Sequence, residues 1–154
     1  MRRKDKEIKD RAENEEIIQQ AAFCHLALAD GDRPYVVPLC FGYADGFLFL
    51  HSAAEGMKLD ILKKNDRVCF SMETDVKAVK GETPCEWGMA FRSVIGFGRA
   101  EILHDREDKI TGLDAIMKHN KGSSGEYPDA YLKITKVIRV TIEQMTGKKS
   151  GSDS

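Results

Sequence analysis

The sequence has no long apolar run, no clustered cysteines and no excess of either charge, and each absence excludes a class of function. Nothing approaches the ~20 consecutive apolar residues of a membrane span. The basic opening MRRKDKEIKD is not followed by the apolar stretch of a secretory signal. A cytoplasmic protein with no membrane partner is therefore expected. Its 24 basic and 25 acidic residues leave no net field to attract nucleic acid. The four cysteines, Cys24, Cys40, Cys69 and Cys85, lack the CxxC pairing of a zinc site or redox dithiol, and are expected to be reduced and mostly buried. His25, His104 and His119 have no paired spacing, so no metal is expected and they read as ordinary surface or core residues. No GxGxxG follows a strand, and neither HExxH nor GxSxG occurs. The Gly147-Lys148-Lys149 triplet lacks the rest of a phosphate loop.

What is present suits one domain: 154 residues with 42% hydrophobic content can bury a substantial core. Asp10 and Glu13 form a capping-box pattern, with Asn14 as a second cap. Ile17, Ile18, Ala21 and Ala22 then mark the apolar face of a helix ending near Ala22. Three β-like runs follow, 23–29, 35–43 and 47–52, separated by the turn signals Asp30-Gly31 and Asp45-Gly46, and they predict an antiparallel meander. A short helix is expected over 56–64, and a strand over 68–72. A polar excursion is expected over 73–86. The stretch WGMAFRSVIGFGRAEIL is too long for a flat small sheet, and Gly96 and Gly98 point to the bending that closes a barrel. A second helix is expected over 105–118, a loop over 120–128 and a last strand over 137–143. Residues 147–154 are expected to form a loose tail after a single domain, 1–146.

Three segments carry chemistry. FLHSAAEGMK passes from strand to helix and gathers His51, Ser52, free N–H groups and Lys58 near a helix start, an arrangement suited to phosphate and equally to plain capping. In FRSVIGFG, alternation sets Arg92 on one face with Val94, Gly96 and Gly98. A phosphate or flat ring could approach the backbone there, and a solvent-facing Arg on an edge strand fits the same pattern. In PYVVPLCFGY, Pro38 cannot donate a ladder hydrogen bond, so the strand is at an edge, bulged or opened. Its backbone either faces a ligand or is simply protected from aggregation.

Taken in order, MRRKDKEI, RPYVVPLCFGY, FLFLHSAAEGMKLDILKKN, VCFSM, FRSVIGFGRAEIL and MTGKKS resemble the pyridoxamine 5′-phosphate oxidase-like flavoproteins, in the branch related to nitroimidazole resistance. The resemblance implies a mainly β fold with flanking helices: a six-stranded antiparallel split β-barrel that forms a homodimer and binds FMN, or FAD, between subunits. It implies that Tyr35, Val36, Val37, Pro38 and Leu39 line the flavin ring and that His51, Ser52, Ala53 and Lys58 receive the phosphate. Arg92 and Ser93 would complete the site, with His51 also the flavin-adjacent catalytic histidine. The chain has no counterpart of the oxidase's basic pair near Val36 to Cys40 or of its C-terminal substrate segment, so the resemblance favours a flavin-dependent oxidoreductase acting on a small electron-poor substrate with a nicotinamide donor. A non-catalytic flavin carrier or sensor, and a haem- or FAD-binding barrel, are the alternatives.

Overall fold

The computed structural model describes residues 3–151. Lys4–Lys6 form one 3-10 turn, followed by β1 (Glu7–Ile8) and α1 (Arg11–Gln20). Asp10 caps α1 by accepting from the Ala12 N–H at 3.0 Å. Glu13 does not complete a capping box and lies 3.8 Å from Lys149 instead. Asn14, the second cap expected, is a buried residue within the helix and donates to the Ile8 carbonyl at 3.2 Å. Then come β2 (Cys24–Asp30), β3 (Arg33–Leu39), β4 (Phe41–Ala44), β5 (Phe47–Ala53), α2 (Met57–Leu62) and β6 (Arg67–Val79). After these follow β7 (Gly88–Leu103), α3 (Arg106–His119), α4 (Asp129–Ile134) and β8 (Thr135–Ser150).

The strands form one eight-stranded antiparallel sheet in the order β3-β2-β6-β7-β8-β5-β4, with β1 added against β8. This is the expected mainly β split barrel with flanking helices. Eight strands replace the six predicted because 35–43 divides at Cys40 and because Glu7–Ile8 adds a short bridge to Lys148 and Gly147. The division also corrects the meander: β3 pairs with β2, whereas β4 pairs with β5, so β3 ends the strand path with a free edge. A proline at position 38 fits such an edge because no ladder bond is lost there.

Two polar stretches expected to be irregular are strand. β6 continues to Val79 through a register shift between Thr74 and Lys77, with Asp75 at φ 56. β8 continues to Ser150, pairing Thr146 to Ser150 with Ile95 to Phe91, so the loose tail does not begin at 147. Residues 152–154 lie outside the described residues. Backbone pairing supplied by distant strands outweighs the weak local preference of these residues. The loop 120–128 is followed by an unforeseen α4, and Tyr127 anchors the loop by donating to Asp114 at 2.9 Å.

One core fills the barrel: Leu26, Phe41, Leu48, Leu50, Phe70, Met72, Val94, Ile138 and Val140 meet Ile17 and Ile18 of α1 and Leu59 and Ile61 of α2. A second lies outside it, where Phe49 and Val137 are covered by Leu113 and Ile116 of α3 and Leu132 of α4. The register Leu26–Phe70–Gly96 explains the glycine, because a Cβ on Gly96 would overlap the Phe70 ring. The face holding Gly96 and Gly98 is thus filled by this protein's own side chains and by the Thr141 carbonyl, not left open for a ligand or a second subunit. The cysteines also differ from expectation. Cys24 is buried, its thiol pushed up to about 12, chiefly by burial, and Cys69 is partly buried, but Cys40 and Cys85 are exposed.

Arg92 ties α1 to the barrel mouth. Its guanidinium donates to Asp75 at 2.6 Å, to Gln20 at 2.8 Å and to Glu16 at 3.4 Å. The hydrogen bond from Arg92 holds the Asp75 carboxyl below its ordinary range. A carboxylate with a lowered folded pKa stabilises the fold above its ordinary pKa, near ~4, and that contribution fades as pH falls through the lowered value. Arg92→Met should return Asp75 to the ordinary carboxylate range in an NMR carboxyl titration and flatten this acid-side change in stability. An unshifted Asp75 would show that the ion pair does not persist in solution.

Gly42 packs directly on the α3 backbone, since a Cβ there would fall within the backbone of Ala115 and Ile116. Gly42→Ala should destabilise the protein by about 1–3 kcal/mol in urea unfolding. Gly88→Ala, with no atom within 4 Å of its added Cβ, should change stability by only about 0.5 kcal/mol.

Candidate functional site

Antiparallel pairing puts directly opposed residues on the same face of a sheet. Two rows cross the outside of the barrel: Val36–Ala27–Cys69–Phe97, and Pro38–His25–Ser71–Ile95. The next rung pairs Glu73 with Ser93 and Ser93 with Lys148. Val36 is 62% exposed, Phe97 53% and Ile95 45%, so this outer face is an apolar patch. A polar island interrupts it. His25 Nδ1 lies 3.6 Å from Glu73, and the Ser71 hydroxyl donates to Glu73 at 3.1 Å. The Lys148 ammonium sits 5.2 Å from the centre of the Phe91 ring. Ser71, Glu73, Phe91, Ser93, Ile95 and Lys148 border a cleft of about 380 Å³ on this face, a size suited to a small flat ligand.

The predicted residues divide among separate places. Val36 and Pro38 point outward, whereas Tyr35, Val37 and Leu39 pack against the barrel core; the free edge of β3 leaves backbone groups available along the same strand. Ser93 faces the outer cleft, but its neighbour Arg92 is on the inner face and is occupied by Asp75, Glu16 and Gln20. His51, Ser52 and Ala53 finish β5 opposite Val137, Lys136 and Thr135 of β8. Strand alternation turns His51 and Ala53 to the outside with Phe49, and Ser52 to the barrel side with Leu48 and Leu50.

Ser52 does not cap α2. Gly56 occupies the N-cap at φ 139, and no side chain bonds to the first N–H groups of that helix. Gly56 is required by this backbone geometry, which an L side chain rarely adopts. Lys58, in the first turn, is half-buried, and burial lowers its pKa from the ordinary lysine value. The Arg92 and Ser52 ends of the molecule are far apart. Val137 pairs with both His51 and Leu103, whereas Arg92 pairs with Lys149 at the other end of the β7–β8 ladder.

Sequence reasoning passed over His25, Ser71, Glu73 and Lys148. They are separated along the chain and meet only through strand register; the lone alternating polar residues in VCFSMET were the available signal. His119, set aside as ordinary, stacks on Phe41 with ring centres 4.2 Å apart and bonds the Ala21 carbonyl at 2.9 Å. Among the described residues, no group of three or more His, Cys, Asp or Glu is placed to hold a metal ion. No helix there is long and apolar enough to cross a membrane, which leaves membrane β-barrels unaddressed.

A family model described as pyridoxamine 5′-phosphate oxidase matches residues 10–149. A solved structure described as a candidate 5-nitroimidazole antibiotic resistance protein from Bacteroides thetaiotaomicron is 37% identical; the match covers 93% of this chain and 86% of that one, with a TM-score of 0.83. An FAD-binding protein from Mesorhizobium loti is 25% identical over 92% of this chain and 96% of that one, with a TM-score of 0.68. The FAD and heme binding protein from Mycobacterium smegmatis shares the fold, with a TM-score of 0.80 at 18% identity, over 97% of this chain and 76% of that one. No curated protein sequence matches the chain significantly. With the family model spanning nearly the whole barrel and the nitroimidazole-resistance structure superposing on it, the chain belongs to the pyridoxamine 5′-phosphate oxidase-like split-barrel family, in its nitroimidazole-resistance-related branch.

Proposed function

We propose that this protein is a cytoplasmic, homodimeric flavin-dependent oxidoreductase. It would bind FMN, with FAD the alternative, and pass electrons from a nicotinamide donor to a small electron-poor acceptor such as a nitroimidazole or quinone. The observation that carries this reading is the outer sheet face, where Val36, Ile95 and Phe97 are exposed and Ser93 and Ile95 border the cleft. An exposed apolar patch with a polar island fits both a flat heterocycle and a second subunit. The descriptions of the relatives, nitroimidazole resistance in one and FAD binding in another, agree with it.

The residues present suit a flavin. Ser52, Ala53, the uncapped start of α2 and the half-buried Lys58 would receive the ribityl phosphate, because an anion supplies acceptors for these donors and favours the charged ammonium. Val36, Pro38 and the free backbone edge of β3 would lie along the ring, with Ser93 completing it from the outer cleft. When bound, the flavin supplies the two-electron redox chemistry. Arg92 serves as a positioning residue for α1 rather than a phosphate ligand. His51, exposed on the outer side of β5, would pass a proton to the acceptor as it is reduced.

Purified protein should show flavin absorbance bands without a Soret band, and light scattering should give twice the chain mass. Lys58→Met should weaken FMN by about ten- to hundredfold, the ~1.5–3 kcal/mol of a charge-assisted hydrogen bond, while riboflavin, which has no phosphate, binds nearly as before. An equal effect on both ligands would remove Lys58 from the phosphate site.

His51→Ala should keep its flavin, checked by absorbance, and slow flavin reoxidation by a nitroimidazole or quinone at least tenfold in anaerobic stopped flow. The expectation follows from the roughly 100- to 10,000-fold contribution of a positioned general acid. Parental rates would reduce His51 to a structural role, and a parent that binds flavin without turning over would establish the carrier reading.

A further inference from the structure

A second concentration of charge lies away from the outer face. The end of β7 and the helices α3 and α4 enclose a cleft of about 420 Å³ lined by His104, Arg106, Lys109, Asp129, Leu132 and Lys133. Its one carboxylate, Asp129, is already engaged by Arg106 Nε at 3.3 Å. Lys109 is the unusual member. It is only 8% exposed, and its ammonium donates to the Leu132 carbonyl. Among the described residues it forms no ion pair; its charged surroundings are dominated by burial and by repulsion from Lys136, both of which lower its pKa.

An ammonium group has three N–H donors, and one carbonyl satisfies one of them. The stem of Lys109 is covered, and an ammonium with unfilled donors gains from an anionic partner. Lys133 adds an exposed positive charge at the rim, and Arg106, though paired with Asp129, keeps further guanidinium N–H donors. The carbon stems of Lys109 and Lys133 give the cleft an apolar border, with only the edge of the buried Leu132 reaching it. A bare inorganic anion would leave that border and most of the volume unused, whereas the cleft size is in the range of ~300–1,000 Å³ that small-molecule sites occupy.

We propose that this cleft binds a small organic phosphate, with the phosphate group held by Lys109, Lys133 and Arg106 and the organic part resting against Leu132 and the lysine stems. The site shares none of Val36, Pro38, Ser52, Lys58 or Ser93, so it stands whether or not the flavin reading does. Phosphate recognition at an exposed rim weakens as ionic strength rises, and the buried Lys109 contact is screened less than the outer two.

The test is isothermal titration of the purified full chain in chloride buffer, with adenosine 5′-diphosphate as the probe and inorganic phosphate in a separate arm. The parent should bind adenosine 5′-diphosphate while any flavin absorbance stays unchanged, with inorganic phosphate competing at least tenfold more weakly. Lys133→Glu, an exposed change, should reduce affinity for both at least tenfold. Lys109→Met, which keeps most of the stem and removes the charge, should do the same, with a thermal melt confirming its fold; if it does not fold, Lys133→Glu decides alone. No binding by the parent, or parental affinity in Lys133→Glu, overturns the proposal. Equal affinity for inorganic phosphate and the nucleotide overturns it in favour of a simple anion site.

Discussion

The antiparallel ladder between β7 and β8 determines where every other element sits. It runs from Phe91–Ser150 to Leu103–Val137 with a single register shift between Phe97 and Gly98. β8 uses its other edge for β5 at one end and β1 at the other, while β7 uses its second edge for β6. A slip of one residue would exchange the two faces of a strand. In β7 it would bring Phe97 into the space Phe70 fills and put Gly96 outside. The glycines fix the register by shape: Gly96 alone leaves room for the Phe70 ring, and at Gly98 a Cβ would strike the Thr141 carbonyl.

Alternation on this fixed ladder separates two roles that are adjacent in sequence. Arg92, Val94 and Gly96 turn inward, so Arg92 serves α1 and the barrel mouth; Ser93, Ile95 and Phe97 turn outward, the first two bordering the candidate cleft. The period of two was legible in FRSVIGFG, but not which side was inside. A strand with glycines on one face and apolar residues on the other fits two structures: a ligand lying on the glycines, or a core ring filling the space they leave. The ring belongs to Phe70, in a different strand, and no local pattern reports so distant a contact.

The same limit explains the rest of what the sequence could and could not convey. Strands with apolar alternation facing the core, 23–29, 47–52 and 137–143, were legible, as was the helix that Asp105 caps by accepting from Glu107 N–H at 2.9 Å. The extensions of β6 to Val79 and β8 to Ser150 were not, because their residues are polar and largely exposed and owe their strand geometry to partners far along the chain. α4 was missed for a related reason. It is six residues long, has no side-chain cap, and is held by Leu132 against the second core rather than by its own helix signals. In the site, strand-to-helix segments such as FLHSAAEGMK announced themselves, while His25, Ser71 and Glu73 became a group only through register.

The placement of the candidate residues bears on assembly as well. Ser93 and the outer cleft lie toward one end of β7, and His51 and Ser52 lie level with its other end, across β8. Most of the β7–β8 ladder lies between those levels. In the homodimer proposed above, a ligand that touches both groups would take them from different copies of the chain. The exposed apolar residues are on the outer face with Ser93, the surface such a second copy would cover. Isologous pairing then produces two such sites at once, because each copy offers the same two halves. The inward-facing glycines cannot supply that interface, since Phe70 and the Thr141 carbonyl already occupy the space they leave.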